Sequence, residues 1–306
     1  MRIWAHSYVC MGKTRYLCNM KSILILALAM LSFHEVDEKL VYEGAYSRCM
    51  EMLEEMLPKA ESPRDRAGVL CRLSEVSLLL GEKEKDNAAR QEWFSRGLSY
   101  ADQAIKADPS GPDGYMWHCA NKGRDCMTRK LNDQIAAVPV MTGDLATILE
   151  KLGRTDYSSA WHALAEIYRN HPFKSDDAAV NFSRRAVSCI PKGELRIEAY
   201  VLLAEILYKR NWKPDKRSSE MEADMARYRK GGQSNMEKYS FYDGEEGPGA
   251  KTPWSGDRCL GQMGDREEAL AILSYAKRRY AALARIPYRE RQEYPRLLKL
   301  ENKWKQ

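Results

Sequence analysis

The most constraining feature of this chain is the short stretch WHALAEIY at residues 161–168, where large and small side chains follow a helical spacing. The stretch contains Trp161, Leu164, Ala165 and Tyr168. Offsets of three, four and seven place these residues on one face of an α-helix. Because the chain is 30% charged, a face this apolar is predicted to be buried. The small Ala165 lets a neighbouring helix approach closely.

Similar stripes recur along the chain, and each is followed by a helix with small residues at regular spacing. A second stripe contains Tyr200, Leu203, Ala204 and Leu207, and a weaker one contains Leu70, Leu73, Ser74 and Ser77. The helices that follow carry Gly97, Ala101 and Ala104, then Ala179, Ser183 and Ala186, and finally Ala269, Leu273 and Ala276. This alternation is typical of stacked helix pairs.

The two-helix pattern resembles the unit of the tetratricopeptide repeat (TPR) family, in which the second helix ends near a proline. The resemblance covers roughly residues 40–285. It implies an all-α solenoid of antiparallel helix pairs with about four cryptic TPR-like repeats. The distances from Gly81 to Gly97 and from Pro109 to Trp161 exceed those of a standard unit, so the repeats are irregular. The last segment, 288–305, carries alternating charge and is predicted to be a C-terminal capping helix.

A shorter stretch, DGYMWHCANKGRD at residues 113–125, is similar to two narrower groups of TPR proteins. These are the regulator-of-microtubule-dynamics family and the bacterial TPR lipoproteins associated with TRAP-type solute transporters. The likeness rests on Trp117, Asn121, Gly123 and Arg124. The second resemblance implies a ligand pocket lined by Trp117, Asn121 and Arg124, with the Arg124 guanidinium holding a carboxylate. The other interpretation places Trp117 in the core and Arg124 at a helix end.

The chain is predicted to be one solenoid with an N-terminal extension and one insertion, because a repeat array grows by stacking. The predicted parts are a signal or over-extended start at 1–33, the TPR-like solenoid at 34–230, a glycine-rich loop at 231–257 and C-terminal helices that complete the solenoid at 258–306. The aromatic residues of the loop favour docking on the solenoid over a disordered linker. Pro139 and Gly143 predict a helix interruption. Ser219 and Glu222 have capping-box spacing and predict a helix start.

The N-terminal residues predict where the protein resides. Lys21 precedes SILILALAML, an apolar run, and the charged HEVDEK follows. The run suits the hydrophobic region of a secretory signal peptide and is shorter than the ~20 residues that span a bilayer. The sequence therefore predicts an exported protein, periplasmic or associated with the cell envelope, with no transmembrane span. The alternative is a cytoplasmic protein in which residues 22–33 form the first buried helix.

Composition and motifs argue against catalysis. The net charge of +6 comes from 49 basic and 43 acidic residues mixed along the chain, which is no footprint of nucleic-acid binding. The sequence has no HExxH, G-x-S-x-G, Walker or Rossmann motif. Glu267 and Glu268 lie in a predicted first helical turn, where attraction to the helix dipole explains them. The sequence thus predicts a protein that is not an enzyme and needs no cofactor or metal.

The function predicted from the repeats is binding, because the first helices of a TPR array line its concave face. The residues that would project into this face are His162, Glu166, Arg169, Asn170, Glu205, Tyr208 and Lys209. Their charges and aromatic rings suit a protein or peptide partner, so the leading prediction is a scaffold protein, with homo-oligomers left open. The alternative is an accessory subunit of a TRAP-type transport system that binds a small organic acid. The other interpretation is that these residues form no binding site and are simply exposed on the helix surface.

Overall fold

The computed structural model describes residues 34–170, 175–243 and 246–306, and these ranges are helical and contain no β-strand. The predicted signal segment at 1–33 lies outside them. The α-helices are α1 (Tyr46–Met56), α2 (Pro63–Lys83), α3 (Asn87–Ala107), α4 (Pro112–Met127), α5 (Leu131–Ala146), α6 (Ser158–Asn170), α7 (Asp176–Ser188), α8 (Ile197–Arg210), α9 (Pro214–Lys230), α10 (Asn235–Tyr239), α11 (Asp265–Ala281) and α12 (Tyr288–Lys305). The π-helical segments are Glu38–Glu43 and Thr147–Lys151, and the 3-10 turns are Leu57–Lys59, Gly247–Gly249 and Leu260–Gln262. The all-α prediction is confirmed for these ranges.

Neighbouring helices pack in pairs, with α2 on α3, α6 on α7 and α8 on α11. Trp161, Leu164 and Ala165 on α6 are fully buried, which confirms the predicted face. The Trp161 ring is stacked on Phe182 of α7 with ring centroids 5.8 Å apart. Tyr168 is only partly buried and lies edge-on to Phe182 at 5.1 Å. The stripe therefore holds the first and second helices of this pair together.

Small residues bring the pairs into close contact. Gly97 on α3 faces the side chain of Asn121 on α4, and a methyl group at position 97 would overlap the Asn121 amide. Gly81 on α2 faces Phe94, whose ring would lie 2.6 Å from a Cβ atom at that position. The small positions thus leave room for the side chains of the adjacent helix, as their spacing predicts.

The partner of α8 is distant in sequence. Its pair is α11, although residues 211–264 intervene. α9 lies within that insertion and packs on the 3-10 turns around Met221 and Leu260. The sequence prediction counted α9 within the solenoid at 34–230, whereas in the structure α9 packs chiefly on these 3-10 turns. The reason is that α9 buries only Arg217 and Met221 and lacks the small-residue stripe that a second helix needs.

Two predicted helix boundaries are wrong. α5 runs through Pro139 without interruption and continues into the π-helical segment Thr147–Lys151. Pro139 is exposed, so the carbonyl group that loses its partner to the proline can bond to water. α9 begins at Pro214 and not at Ser219, because proline is favoured in the first turn of a helix.

The segment 231–257 packs on the helices through its aromatic side chains. The ring of Tyr239 lies 4.8 Å from that of Trp161, between centroids. The ring of Trp254 lies edge-on to Tyr200 at 6.2 Å. The segment is therefore a docked element with a short helix of its own, α10.

A buried ionic network ties this segment to α7, α9 and α11. Glu268 on α11 is fully buried and accepts hydrogen bonds from Nη1 and Nη2 of Arg184 at 2.6 and 2.7 Å, and from Arg217. Asp243 accepts from Nε of Arg184 at 2.7 Å. Burial raises the pKa of Glu268, but the two guanidinium groups outweigh burial and lower the pKa to about 2. Attraction to the helix dipole therefore does not by itself account for the presence of a glutamate at position 268. It does account for the exposed Glu267.

The C-terminal helix α12 packs on α8 and α11 and also reaches the first residues that the structure describes. The ring of Tyr288 lies edge-on to that of Tyr46, with centroids 6.0 Å apart. Arg285, just before α12, forms an ion pair with Glu38. A capping helix is expected to contact only the last helix pair. α12 also contacts the first described residues, so its contacts exceed those of the predicted capping helix. It joins the two ends of the described chain.

We expect Gly44→Ala to destabilise the protein by about 1–3 kcal/mol. Gly44 has φ +69°, and an added Cβ would lie 2.7 Å from the Tyr288 ring. Gly153→Ala is the matched control, because Gly153 has φ +65° with no neighbour within 4 Å and suffers the backbone strain alone. Thermal unfolding of both variants measures the difference. Equal losses would contradict the close contact between Gly44 and Tyr288.

Candidate functional site

A cavity of about 1000 Å³ lies on the inner side of the helix pairs. Its walls come from α1, α2, α4, α5, α6, α8 and α12, whereas α3, α7 and α11 contribute no lining residue among the residues described. The first helix of each pair therefore faces the cavity, and the second helix lies behind it. Since α12 packs on α8 and reaches Tyr46, it closes one side of the cavity.

The cavity lining carries more basic than acidic side chains. Six lining residues are basic and four are acidic: Lys83, Arg124, Arg169, Arg196, Arg289 and Arg296, and Glu82, Glu166, Glu198 and Glu293. Glu205 and Glu194, just outside the lining, pair with Arg169 and Arg296 and with Arg196, respectively. An anion would therefore be held by individual guanidinium groups and not by an overall surplus of charge.

Ion pairs hold the arginine side chains of the cavity in place. Oε1 of Glu82 lies 2.6 Å from Nε of Arg124, and Oε2 of Glu198 lies 2.8 Å from Nη2 of Arg289. Burial raises the pKa of Glu198, but Arg289 and other nearby cationic groups outweigh burial and lower it. The pairs therefore favour the ionised form of Glu198 and orient both guanidinium groups.

His162 adds a neutral polar group to the wall. Burial lowers the pKa of His162, although Glu198 and Glu166 act in the opposite direction. Its Nδ1 atom is buried and has no hydrogen-bond partner within the described ranges. A neutral imidazole can donate or accept a hydrogen bond, so this buried atom keeps an unused hydrogen-bonding capacity in the cavity wall.

The wall formed by α5 contrasts with the charged walls. The lining residues of α5 carry no charge: Leu131, Gln134, Ile135, Val138 and Met141. Met127, at the end of α4, continues this wall. Leu131 is 67% exposed and Ile135 is 42% exposed, so the apolar wall reaches the surface. The cavity therefore has an apolar side that opens to solvent.

Most residues predicted as ligand contacts line this cavity. They are Trp117, Arg124, His162, Glu166, Arg169 and Asn170. The structure thus brings the residues implied by the narrower resemblance on α4 together with the predicted concave-face residues of α6. Both residues line the cavity, as the first interpretation of the sequence requires. Trp117 is also partly buried and Arg124 lies in the last turn of α4, as the second interpretation requires in part.

Asn121, the third residue implied by the narrower resemblance, does not line the cavity. It is fully buried, and its Nδ2 donates to the backbone oxygen and Oγ of Ser74 at 3.2 and 3.0 Å. Because Gly97 leaves room for it, Asn121 packs between α2, α3 and α4. The structure gives it the place of an interhelical contact.

The predicted contacts on α8 also lie outside the cavity lining. Glu205 accepts hydrogen bonds from Arg169 at 2.8 Å and from Arg296 of α12 at 2.9 Å. The Tyr208 ring is stacked on Trp304 of α12, with centroids 4.1 Å apart. Lys209 is exposed at the end of α8. Helix α12 therefore occupies the position on α8 that was predicted to bind a partner.

The sequence prediction missed the contribution of α12. Its lining residues are Tyr288, Arg289, Gln292, Glu293 and Arg296. These residues recur every three or four positions and so form one helical face. That spacing is a signal in the sequence, but the alternating charge of 288–305 also fits a solvated helix.

His118 fastens the apolar wall to its neighbours. Its Nδ1 lies 2.7 Å from Oδ2 of Asp144 at the end of α5, and its Nε2 lies 3.8 Å from Oδ1 of Asp102 on α3. The hydrogen bond to Asp144 raises the pKa of His118, burial opposes the shift, and Asp102 adds to it. His118 therefore links α4 to α5, and the raised pKa means that this link is stronger when the imidazole is protonated.

We expect His118 to contribute roughly 1 kcal/mol of stability at pH about 5 that is absent at pH about 9. Because the folded-state pKa is raised, the contribution is complete below the unfolded pKa of about 6.5 and is lost as the pH rises through the folded pKa. Urea unfolding of the wild type and of His118→Gln at both pH values measures it. An equal difference between the two proteins at both pH values would contradict the ion pair.

Among the described residues, none of the helices combines the length and the apolar composition that crossing a bilayer requires. The same ranges hold no group of three or more histidine, cysteine, aspartate or glutamate side chains placed to bind a metal ion. The chain matches no protein-family model, and no curated protein is significantly similar to it.

Proposed function

We propose that this chain is a non-catalytic binding protein whose cavity takes an organic anion through a carboxylate group. The observation that carries the proposal is the position of Arg124 in the cavity wall. Its contact with Glu82 uses Nε, and Nη1 lies 4.0 Å from Sδ of Met127, which is a weak acceptor. The guanidinium group is therefore held in place and can still form paired hydrogen bonds with a carboxylate.

Two further side chains support an anion near Arg124. Arg289, His162 and Arg124 all line the cavity, and so do Glu198 and Glu82, which pair with the two arginines. A carboxylate that binds here would meet two guanidinium groups that are already paired and one neutral imidazole. Trp117 would supply an apolar wall to the body of the ligand.

A small organic ligand suits the cavity better than a long peptide does. On α8, a peptide would have to displace Arg296 and Trp304 of α12 from Glu205 and Tyr208. A scaffold that binds a protein partner is the second candidate function. The exposed apolar residues Leu131 and Ile135 favour it, because exposed apolar patches often mark interaction surfaces.

The setting of the binding function depends on the N-terminal residues. If residues 1–33 export the chain, as their sequence predicts, the ligand is met in the periplasm or at the envelope. An accessory role in TRAP-type solute transport is then the proposed context, in line with the narrower resemblance of residues 113–125. A cytoplasmic protein would bind the same chemical group in a different setting.

Titration calorimetry of the protein with organic acids tests the proposal. We expect Arg124→Lys to weaken binding of a carboxylate by about tenfold or more, because lysine cannot form the paired hydrogen bonds. The matched control is Arg129→Lys, since Arg129 is exposed, pairs with Asp125 and does not line the cavity. This control should bind as the wild type does.

Two results would contradict the proposal. Absence of heat with every acid, together with a protein partner retained in a pull-down from native membranes, would leave the scaffold function. Equal weakening by Arg124→Lys and Arg129→Lys would show that Arg124 is not the anchor of the carboxylate.

A further inference from the structure

We infer that the ligand is an amphipathic acid whose hydrocarbon chain lies along Met127, Leu131 and Ile135, with its carboxylate at Arg124. This inference rests on the proposed function and specifies the chemical class of the ligand. It follows from where the chain exposes its large apolar side chains and from how charge is divided over the cavity wall.

Large apolar side chains are exposed mainly in one place on the described surface. The exposed large apolar residues are Val41, Met127, Leu131, Ile135 and Val140. Three of them, Met127, Leu131 and Ile135, form an apolar stripe where α4 ends and α5 begins. Leu131 and Ile135 are four residues apart on α5 and share one helical face, and Met127 is the last residue of α4. These three also line the cavity, whereas Val41 and Val140 do not. The stripe is therefore the outer edge of the cavity wall.

The apolar stripe begins beside the proposed carboxylate anchor. Nη1 of Arg124 lies 4.0 Å from Sδ of Met127, which is the first residue of the stripe. From the stripe the uncharged wall continues inward to Val138 and Met141. A carboxylate on Arg124 would thus leave the rest of its molecule next to apolar atoms.

The size of the cavity agrees with a ligand larger than a short acid. Its volume of about 1000 Å³ lies at the upper end of the ~300–1000 Å³ typical of small-molecule sites. Burial of a hydrocarbon chain would remove both the chain and the stripe from water. Because the stripe lines the same cavity as Arg124, we propose that the hydrocarbon chain of the ligand covers the stripe, and not a second copy of the protein.

A series of straight-chain acids from acetate through butyrate, hexanoate and octanoate tests this inference by calorimetry, below the concentrations at which the acids form micelles. We expect affinity for the wild type to rise about fourfold with each added methylene group along the stripe. The double variant Leu131→Ser, Ile135→Ser should lose about tenfold in affinity for octanoate and bind butyrate as the wild type does. Both residues are exposed, so circular dichroism should show an unchanged fold.

Val140→Ser is the matched control, because Val140 is 41% exposed on the same helix and lies outside the cavity. It should keep the full dependence on chain length. Affinity that does not rise with chain length in the wild type would overturn this inference while leaving the proposed function intact. Absence of binding by every acid would overturn both. A dimer in sedimentation experiments that dissociates in the double variant would assign the stripe to a second copy and also overturn the inference.

Discussion

Glu268→Gln should lower the free energy of unfolding by about 3–5 kcal/mol, because it removes one charge from a buried ionic network. The substitution keeps the size of the side chain but removes its charge. Arg184 and Arg217, both buried, would then face each other across a neutral amide. Among the described residues, Asp243 would remain near Arg184 and Asp265 near Arg217 as anions. Urea unfolding at neutral pH measures the loss.

The adjacent residue provides the control for this prediction. Glu267 is exposed and pairs with Arg258 on the surface, so Glu267→Gln should cost less than about 1 kcal/mol. Because the two residues follow one another at the start of α11, both substitutions change the interaction with the helix dipole in a similar way. Similar losses for the two variants would contradict the buried network.

Trp161→Ala should destabilise the protein by about 3–5 kcal/mol, because it removes a fully buried aromatic side chain from the core. Its ring contacts Phe182 on α7 and Tyr239 of the segment 231–257. Its Nε1 donates to the backbone oxygen of Thr155 at 2.9 Å. The variant should therefore also loosen the 231–257 segment, which limited proteolysis detects as faster cleavage there.

Trp304→Ala is the control for the loss of an indole ring. Trp304 is partly buried, stacks on Tyr208 and lies near the end of the chain, so its removal should cost about 1 kcal/mol. Unchanged proteolysis of the segment 231–257 in Trp161→Ala would contradict the account of how that segment is held.

Local spacing predicted the buried faces of the helices but not their partners. The offsets of Trp161, Leu164 and Ala165 alone indicate a buried helical face, and the structure confirms it. The pairing of α8 with α11 could not be predicted in this way, because α9 follows α8 directly and is also helical. A helix with few apolar residues, such as α9, is ruled out as the partner of α8 only when the competing helix is known.

The candidate site was predicted in part for the same reason. Arg124 and His162 project from first helices, and their position beside buried stripes indicates the side that they face. Arg289 belongs to a helix whose alternating charge also fits a solvated surface. Its place in the cavity wall depends on contacts that are distant in sequence, such as those of Tyr288 with Tyr46 and of Arg289 with Glu198. The sequence around Glu267 and Glu268 does not indicate which of the two is buried. The arginine that pairs with Glu268, Arg184, lies 84 residues earlier.

The measurement that tests the central claim most directly is a crystal structure of the protein with octanoate that carries bromine on its terminal carbon. The account predicts a carboxylate within hydrogen-bond distance of the Arg124 guanidinium and an anomalous bromine peak against Leu131 or Ile135. Both features would place an amphipathic acid in the cavity closed by α12. A cavity without the ligand at saturating concentration, or a carboxylate bound away from Arg124, would contradict the claim.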